Sequence, residues 1–307
     1  MACVPTNPLS ASPETRVCHL CGNTELETIA EHDGKRLDEC LNCGVHFVDP
    51  QPSPAALATH FESGEAAGAN EFKTKFETNR QPVLSRVVNY IQTEKDGGSI
   101  LDVGCATGVF LGAFAKNSRW RAWGVELSPW TAQQARRNGV LVHIGDTQSA
   151  KFADHSFDVI TVLDAFYYFS HPASDLAEFR RVLKADGLLV VELPWANTRI
   201  WRRKLGSKLP NGSRTPLLRS SDHLYYYTPR SVSLLLKMSG FVVETVRPLP
   251  ANRQERVVRD LLGKTYSLFS QFLWRLSASK IFLGPRFIVA ARKDSAWGGN
   301  PELPRSE

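Results

Sequence analysis

The residues best suited to chemistry near the start of the chain are four cysteines. Cys18-His-Leu-Cys21-Gly22 and Cys40-Leu-Asn-Cys43-Gly44 are two CxxC-Gly units, with 18 residues between Cys21 and Cys40. A CxxC turn presents two thiolates from one tight loop, and a glycine after it admits the left-handed backbone that turns amides toward sulfur. Four thiolates meet the tetrahedral preference of Zn²⁺. Two disulfides or a redox pair are the competing readings, with iron as the other metal. A reducing compartment weighs against disulfides, and the lack of a βαβ pattern around either unit weighs against a redox role. Cys18, Cys21, Cys40 and Cys43 are therefore expected to hold a structural zinc ion in a zinc ribbon over residues 18–50. With four cysteines on the metal, no position is left for a substrate water. Cys3 falls in residues 1–17, expected to be a disordered tail.

A second set of candidates follows an apolar strand, in Leu101-Asp102-Val103-Gly104-Cys105-Ala106-Thr107-Gly108. Glycines at a strand end let backbone approach a ligand, and a following helix offers unpaired N–H groups to an anion. A dinucleotide G-x-G-x-x-G read from Gly104 needs glycines where Ala106 and Val109 stand, and no G-x-x-x-x-G-K-[ST] phosphate loop occurs. Two acids fall where a nucleoside needs them. Glu126 ends the next strand and can accept from ribose hydroxyls, and Asp146 in Gly145-Asp146-Thr147 can accept from an adenine amino group.

The elements that must position these groups can be read from apolar periodicity. Asp49-Pro50-Gln51-Pro52-Ser53-Pro54 closes the ribbon, and Ser53 is placed to cap a short helix. Residues 51–98 read as linker and lead-in helices, because Phe72, Phe76, Val83, Leu84, Val87, Val88 and Ile91 recur at helical spacing over 72–95. Strands are expected at 100–103, 122–125, 140–144, 157–163, 188–193, 241–246 and 287–291. Helices are expected after Thr107 and over 129–138, 173–183 and 229–238. Apolar strands alternating with amphipathic helices make an α/β, doubly wound, mainly parallel sheet, which binds ligands beyond the carboxyl ends of its strands. This domain is expected over 99–293, with a disordered tail over 294–307.

LDVGCATG, GVELSPW, GDTQSAKFADHSFDVITVL and FRRVLKADGLLVVELP, in that order, resemble the motifs of class I S-adenosylmethionine-dependent methyltransferases over residues 72–293. The paired CxxC units followed by VDPQP resemble a bacterial subgroup with an N-terminal zinc ribbon, whose members act on sugars, glycan precursors or secondary metabolites. The resemblance implies a Rossmann-like seven-stranded sheet and S-adenosylmethionine as cofactor. It implies that Asp102, Gly104, Ala106 and Gly108 line the methionine end, Glu126 the ribose, and Asp146 with Thr147 the adenine; Cys105, Leu127 and Asp164 complete the cofactor set. After the fourth strand the family often carries Glu-His, where this chain has Tyr167-Tyr168. A hydroxyl acceptor benefits from a base, and His223 in HLYYYTP, a stretch that the family places beside the substrate pocket, and Tyr168 are the candidate catalytic residues, with His171 behind them. Their bland alternatives are a packing histidine and pocket walls.

Charge separates the substrate classes. The chain carries 37 Lys+Arg against 31 Asp+Glu, yet seven basic residues and no acid lie between Arg199 and Arg219. The ribbon has Lys35 and Arg36 against seven acids, the reverse of a nucleic-acid finger. The N/D-P-P-Y/F tetrad of amino-methylating nucleic-acid enzymes is missing. A small-molecule, sugar or glycan-precursor acceptor, anionic and O-methylated, is therefore expected. An RNA-modifying enzyme and a non-catalytic relative of the fold are the alternatives. Residues 254–276 carry an apolar stripe, which reads either as a helix covering the sheet or as an interfacial helix at a membrane. No uncharged apolar run reaches the length of a span and no leader pattern opens the chain, so a cytoplasmic location is expected.

Overall fold

Strands that are apolar on both faces need cover on both faces, and this requirement organises the chain. The computed structural model describes residues 16–32, 34–53, 56–57, 69–195, 223–253, 257–277 and 284–298. Three strands come first, β1 (Leu26–His32), β2 (Lys35–Cys40) and β3 (His46–Asp49), then the long helix α1 (Ala69–Glu94). Alternation follows: β4 (Gly98–Val103), α2 (Gly112–Ala115), β5 (Trp120–Glu126), α3 (Pro129–Arg137), β6 (Leu141–Ile144), β7 (Phe157–Leu163), a 3₁₀ turn at Phe166–Tyr168, α4 (Pro172–Val182) and β8 (Leu183–Pro194). The chain ends with β9 (Tyr225–Tyr226), α5 (Pro229–Met238), β10 (Phe241–Leu249), α6 (Val257–Leu276) and β11 (Arg286–Lys293).

The expected seven-stranded sheet is present, in the order β10-β11-β8-β7-β4-β5-β6. The strands from β8 to β6 run parallel, and β11 lies antiparallel between β8 and β10. Successive residues feed opposite layers. Ile100, Val159, Leu188 and Val190 pack with Val83, Val87 and Ile91 of α1 and with Phe114 of α2. Leu101, Ile160, Leu189 and Val191 pack with Leu176 and Phe179 of α4 and with Val232 and Leu235 of α5. Capping sets the helix starts: Ser128 Oγ accepts from Thr131 N–H at 3.2 Å, and Thr228 and Ser231 form a reciprocal capping box. Ser53 Oγ likewise accepts from Ala56 N–H at 3.2 Å.

Several boundaries differ from expectation. The helix expected directly after Thr107 is delayed to Gly112, because Ala106 and Gly108 both sit at positive φ. β8 begins at Leu183, where helix was expected to end. Leu183 pairs with Phe157 and Leu188 with Val159, so an irregularity carries Lys184–Gly187 outside the regular ladder. At the ends read as tails, Arg16 reaches Asp38 at 3.1 Å, and Trp297 lies under the guanidinium of Arg180 at 4.7 Å. Residues 1–15 and 299–307, and the basic stretch 199–219, lie outside the described residues.

The larger surprise is β9. It pairs antiparallel with β3, His46 opposite Tyr226 and Phe47 opposite Tyr225, giving a four-stranded sheet in the order β1-β2-β3-β9. A segment distant in sequence thus completes the ribbon. Residues 254–276 read either as a covering or as an interfacial helix; α6 turns most of its described apolar stripe outward, with Leu262 63% and Phe272 61% exposed. None of the described helices is long and apolar enough to cross a membrane.

Candidate active site and metal centre

The four ribbon cysteines converge. Their sulfur atoms lie within 4.8 Å of one another, all four residues are buried, and none is in a disulfide. Each turn is closed by its glycine, Gly22 N–H donating to Cys18 O and Gly44 N–H to Cys40 O, both at 2.8 Å. Both glycines have φ near +70° (69° and 72°), as the CxxC-Gly spacing requires. Cys18 and Cys43 sulfurs are 3.7 Å apart and Cys21 and Cys40 sulfurs 3.6 Å. A zinc ion with bonds of about 2.3 Å sets tetrahedral sulfur–sulfur edges of about 3.8 Å, so the cage fits that ion. The Cys43 thiol and backbone amides hold Cys18 down at about 5, while burial pushes Cys21 up to about 11. Four sulfurs this close ionise together only around a cation.

Beyond the carboxyl ends of β4, β5 and β6 lies the loop that the glycines mark. Gly104 is exposed at φ +79°, and a Cβ there would come within 2.9 Å of Ala165 Cβ, so backbone alone can occupy this edge. Glu126 is held ready by two amides: Ala106 N–H donates to Oε2 at 2.8 Å and Ser128 N–H to Oε1 at 3.0 Å. Leu127 beside it is 48% exposed. Asp146 Oδ1 accepts from Ser149 N–H at 2.6 Å, fixing an exposed turn on which Thr147 is buried.

Other residues of the expected cofactor set face elsewhere. Asp102 is buried, accepts from Thr161 Oγ1 at 2.6 Å, and is pushed up to about 7 by burial, against the pull of that hydrogen bond. Cys105 turns its sulfur to the sheet, where a Cβ on Gly124 would meet it at 2.4 Å, and Gly108 is packed against Ala135. Asp164, at φ +61°, gives its carboxylate to Arg286 and, at 3.6 Å, to Arg80. Burial works to raise its pKa, yet Arg286 and Arg80 hold it below the ordinary value.

Those arginines belong to a buried quartet. Arg80 on α1 pairs with Glu192 on β8 at 2.5 Å, and Arg286 on β11 pairs with both Glu192 and Asp164. Sequence reading missed it, although a glutamate inside the apolar run Leu188–Leu193 was a signal: a charge there needs partners.

The remaining candidates gather on the same end of the sheet. Ala165, against Gly104, leads into the turn carrying Tyr167 and Tyr168, and Leu224 N–H donates to Tyr167 O at 2.9 Å. His223 stacks on Tyr167 at 3.7 Å between ring centroids, with Tyr226 at 5.2 Å and Tyr168 edge-on at 5.9 Å. Burial and Asp164 push the Tyr167 phenol well above its ordinary pKa, so it stays protonated. A crevice of about 10 Å³, room for one water, is lined by His223 and Tyr167 together with Pro194, Trp195, Tyr226 and Tyr227. His171 is exposed, just before α4.

The comparisons with known proteins agree with this layout. The family model described as "Methyltransferase domain" matches residues 76–246. The Neisseria meningitidis ubiquinone biosynthesis O-methyltransferase is 23% identical over 66% of this chain and 81% of its own length. The mouse protein named "Probable tRNA methyltransferase 9B" is 30% identical over 40% of this chain; the chain spans only 30% of that relative's length. An S-adenosylmethionine-dependent methyltransferase structure from Archaeoglobus fulgidus superposes with a TM-score of 0.52 at 15% identity, covering 74% of this chain and all (100%) of that one. With its sheet order, the glycine loop at the end of β4 and a family match over more than half its length, the chain belongs to the S-adenosylmethionine-dependent methyltransferases.

Proposed function

We propose that the protein methylates a hydroxyl of a small anionic acceptor, a sugar or glycan precursor being the class that fits best. The observation that carries this reading is the crevice shared by the two described residues that flank the basic stretch. The chain departs after Trp195 and returns at His223, and both residues line the crevice beside Tyr167. The seven basic residues between Arg199 and Arg219 fall in the chain between these two crevice residues, outside the described residues. Arginine forks suit phosphate and carboxylate.

S-adenosylmethionine supplies a methyl group on a positively charged sulfur. Of the chain's own residues, Gly104 and Ala106 offer close backbone approach, Glu126 accepts from the ribose, and Asp146 with Thr147 and Leu127 holds the adenine. Asp102 and Asp164 act from beneath, through Thr161 and through the arginine quartet. Tyr167 and Tyr168 form the wall between the two ligands, and His223 takes the hydroxyl proton as the oxygen attacks. Positioning supplies much of the rate, because the leaving group is already activated.

Methyl-labelled S-adenosylmethionine incubated with the protein and a cell extract tests the acceptor class. Label is expected in the acidic small-molecule fraction; label in RNA overturns the acceptor. Once an acceptor is in hand, His223→Gln is expected to lower kcat by about 10²–10⁴-fold with cofactor affinity unchanged. Glu126→Ala is expected to weaken S-adenosylmethionine binding by about 1–3 kcal/mol in calorimetry, and undiminished binding overturns the ribose assignment.

A further inference from the structure

The helix α6 turns most of its apolar residues outward. Its inward side carries Gly263 and Trp274, both half-buried, with Ser267 and Ser270, which are 4% and 1% exposed. Ser267 Oγ donates to Gly263 O at 2.7 Å and accepts from Ala251 N–H at 3.0 Å, which ties the helix to the end of β10. Outward stand Leu261, Leu262, Leu268, Phe269, Phe272 and Leu276, each more than half exposed (55–72%). At ~100° per residue these six fall within an arc of about 120°. No described side chain of α6, from Leu261 on, joins the apolar clusters of the core.

Charge and place identify what covers this face. Lys264 and Arg275 are exposed and, on the same wheel, run along one border of the apolar arc, while the described side chains from Leu261 to Ser277 include no acid. Cations bordering a leucine and phenylalanine face suit a surface that is apolar inside and anionic outside. The helix also rises at the acceptor end of the sheet. Leu249 pairs with Arg286 and Arg286 with Pro194, so α6 leaves and returns in line with Pro194 and Trp195 of the crevice.

We infer that α6 is an interfacial helix that seats this protein on an anionic lipid surface, with the mouth of the acceptor crevice facing the headgroups. The inference rests on this outer surface and holds whatever acceptor the enzyme takes. It is tested with the full zinc-loaded chain and vesicles of phosphatidylcholine containing about 30% phosphatidylglycerol. Wild-type protein is expected to float with these vesicles, and to bind vesicles of phosphatidylcholine alone at least about tenfold more weakly. Phe269→Ser with Phe272→Ser is expected to abolish flotation, and Lys264→Glu with Arg275→Glu to remove the preference for phosphatidylglycerol. S-adenosylmethionine affinity, read on the same samples, is expected to stay at the wild-type value in both variants, which separates a lost surface from a lost fold. Absence of flotation by the wild type overturns the inference. So does flotation that survives the phenylalanine changes. A concentration-dependent dimer dissolved by those same changes would instead assign the face to a second copy of the chain, and would overturn it as well.

Discussion

Helices α5 and α6 sit within 50 residues of each other, and both carry an apolar stripe at helical spacing. In α5 the stripe is the inside: Val232, Leu235 and Leu236 are at most 2% exposed, and the helix starts in a capping box next to the ribbon. In α6 the stripe is the outside and serines face the body. The sequence pattern is the same in kind. The difference lies in what each helix meets: α5 lies against the apolar layer that also receives the ribbon cysteines and Phe47, whereas α6 is tied through Ser267 to Ala251, just beyond the end of β10. An amphipathic pattern states that a helix has two faces, and the neighbours decide which one is buried.

That contrast can be broken in three ways, the first by removing the metal. The α5 cap residue Thr228 lies against Gly44 of the second knuckle, where a Cβ would come 3.8 Å from Thr228 Oγ1, and β9 is paired to β3. Zinc is expected at about one ion per chain by elemental analysis. Its chelation should lower the melting temperature by about 10 °C or more, because the free energy of binding a structural zinc is also free energy of folding. Hydrogen exchange should then rise through β9 and α5 and leave α6 unchanged. Protein that purifies without metal, with unaltered stability, would remove the structural role of the cluster.

The second concerns the residue where the α6 excursion rejoins the sheet. Arg286→Met leaves Asp164 and Glu192 buried beside only Arg80, and is expected to cost about 3–5 kcal/mol in denaturant unfolding. Asp164 is held below its ordinary pKa, so its contribution is complete above the unfolded carboxylate range and is lost as pH falls through the depressed folded value. The variant should therefore be destabilised at neutral pH, and the gap from wild type should narrow in acid.

The third sets the two helices side by side. Leu235→Ala in α5 is expected to cost about 2–5 kcal/mol by transfer and cavity terms. Phe272→Ala in α6 is expected to stay within about 0.5 kcal/mol, because that side chain leaves no packed site. Equal losses measured by denaturant unfolding would show that α6 packs its apolar face after all.

Much of the scaffold was legible because it depends on local rules. The alternation of apolar strands with capped helices announced the parallel sheet, and the repeated CxxC-Gly announced the metal cage, since each needs only nearby residues of the right type. Glu126 and Asp146 were legible as acids at strand ends, and the amides of Ala106 and Ser128 that orient Glu126 follow from that turn. Asp164 was less so: its position after β7 is local, whereas its partners Arg80 and Arg286 come from strands and helices more than 80 residues away on either side. Tyr225 and Tyr226 sit in a stretch that reads as pocket wall, and they are also an edge strand for a ribbon nearly 180 residues upstream.

The residue types and their spacing by themselves determined the chemistry available to this protein, a four-thiolate cage, a glycine loop and two carboxylates at strand ends, because each is written in a short stretch of chain. Tertiary structure decided the partners. It joined β9 to the ribbon, closed the arginine–carboxylate quartet, stacked His223 on Tyr167 and turned the apolar face of α6 outward. Periodicity along a chain encodes which side chains share a face, but a face gains a neighbour only when distant segments meet, and that meeting is a property of the whole fold.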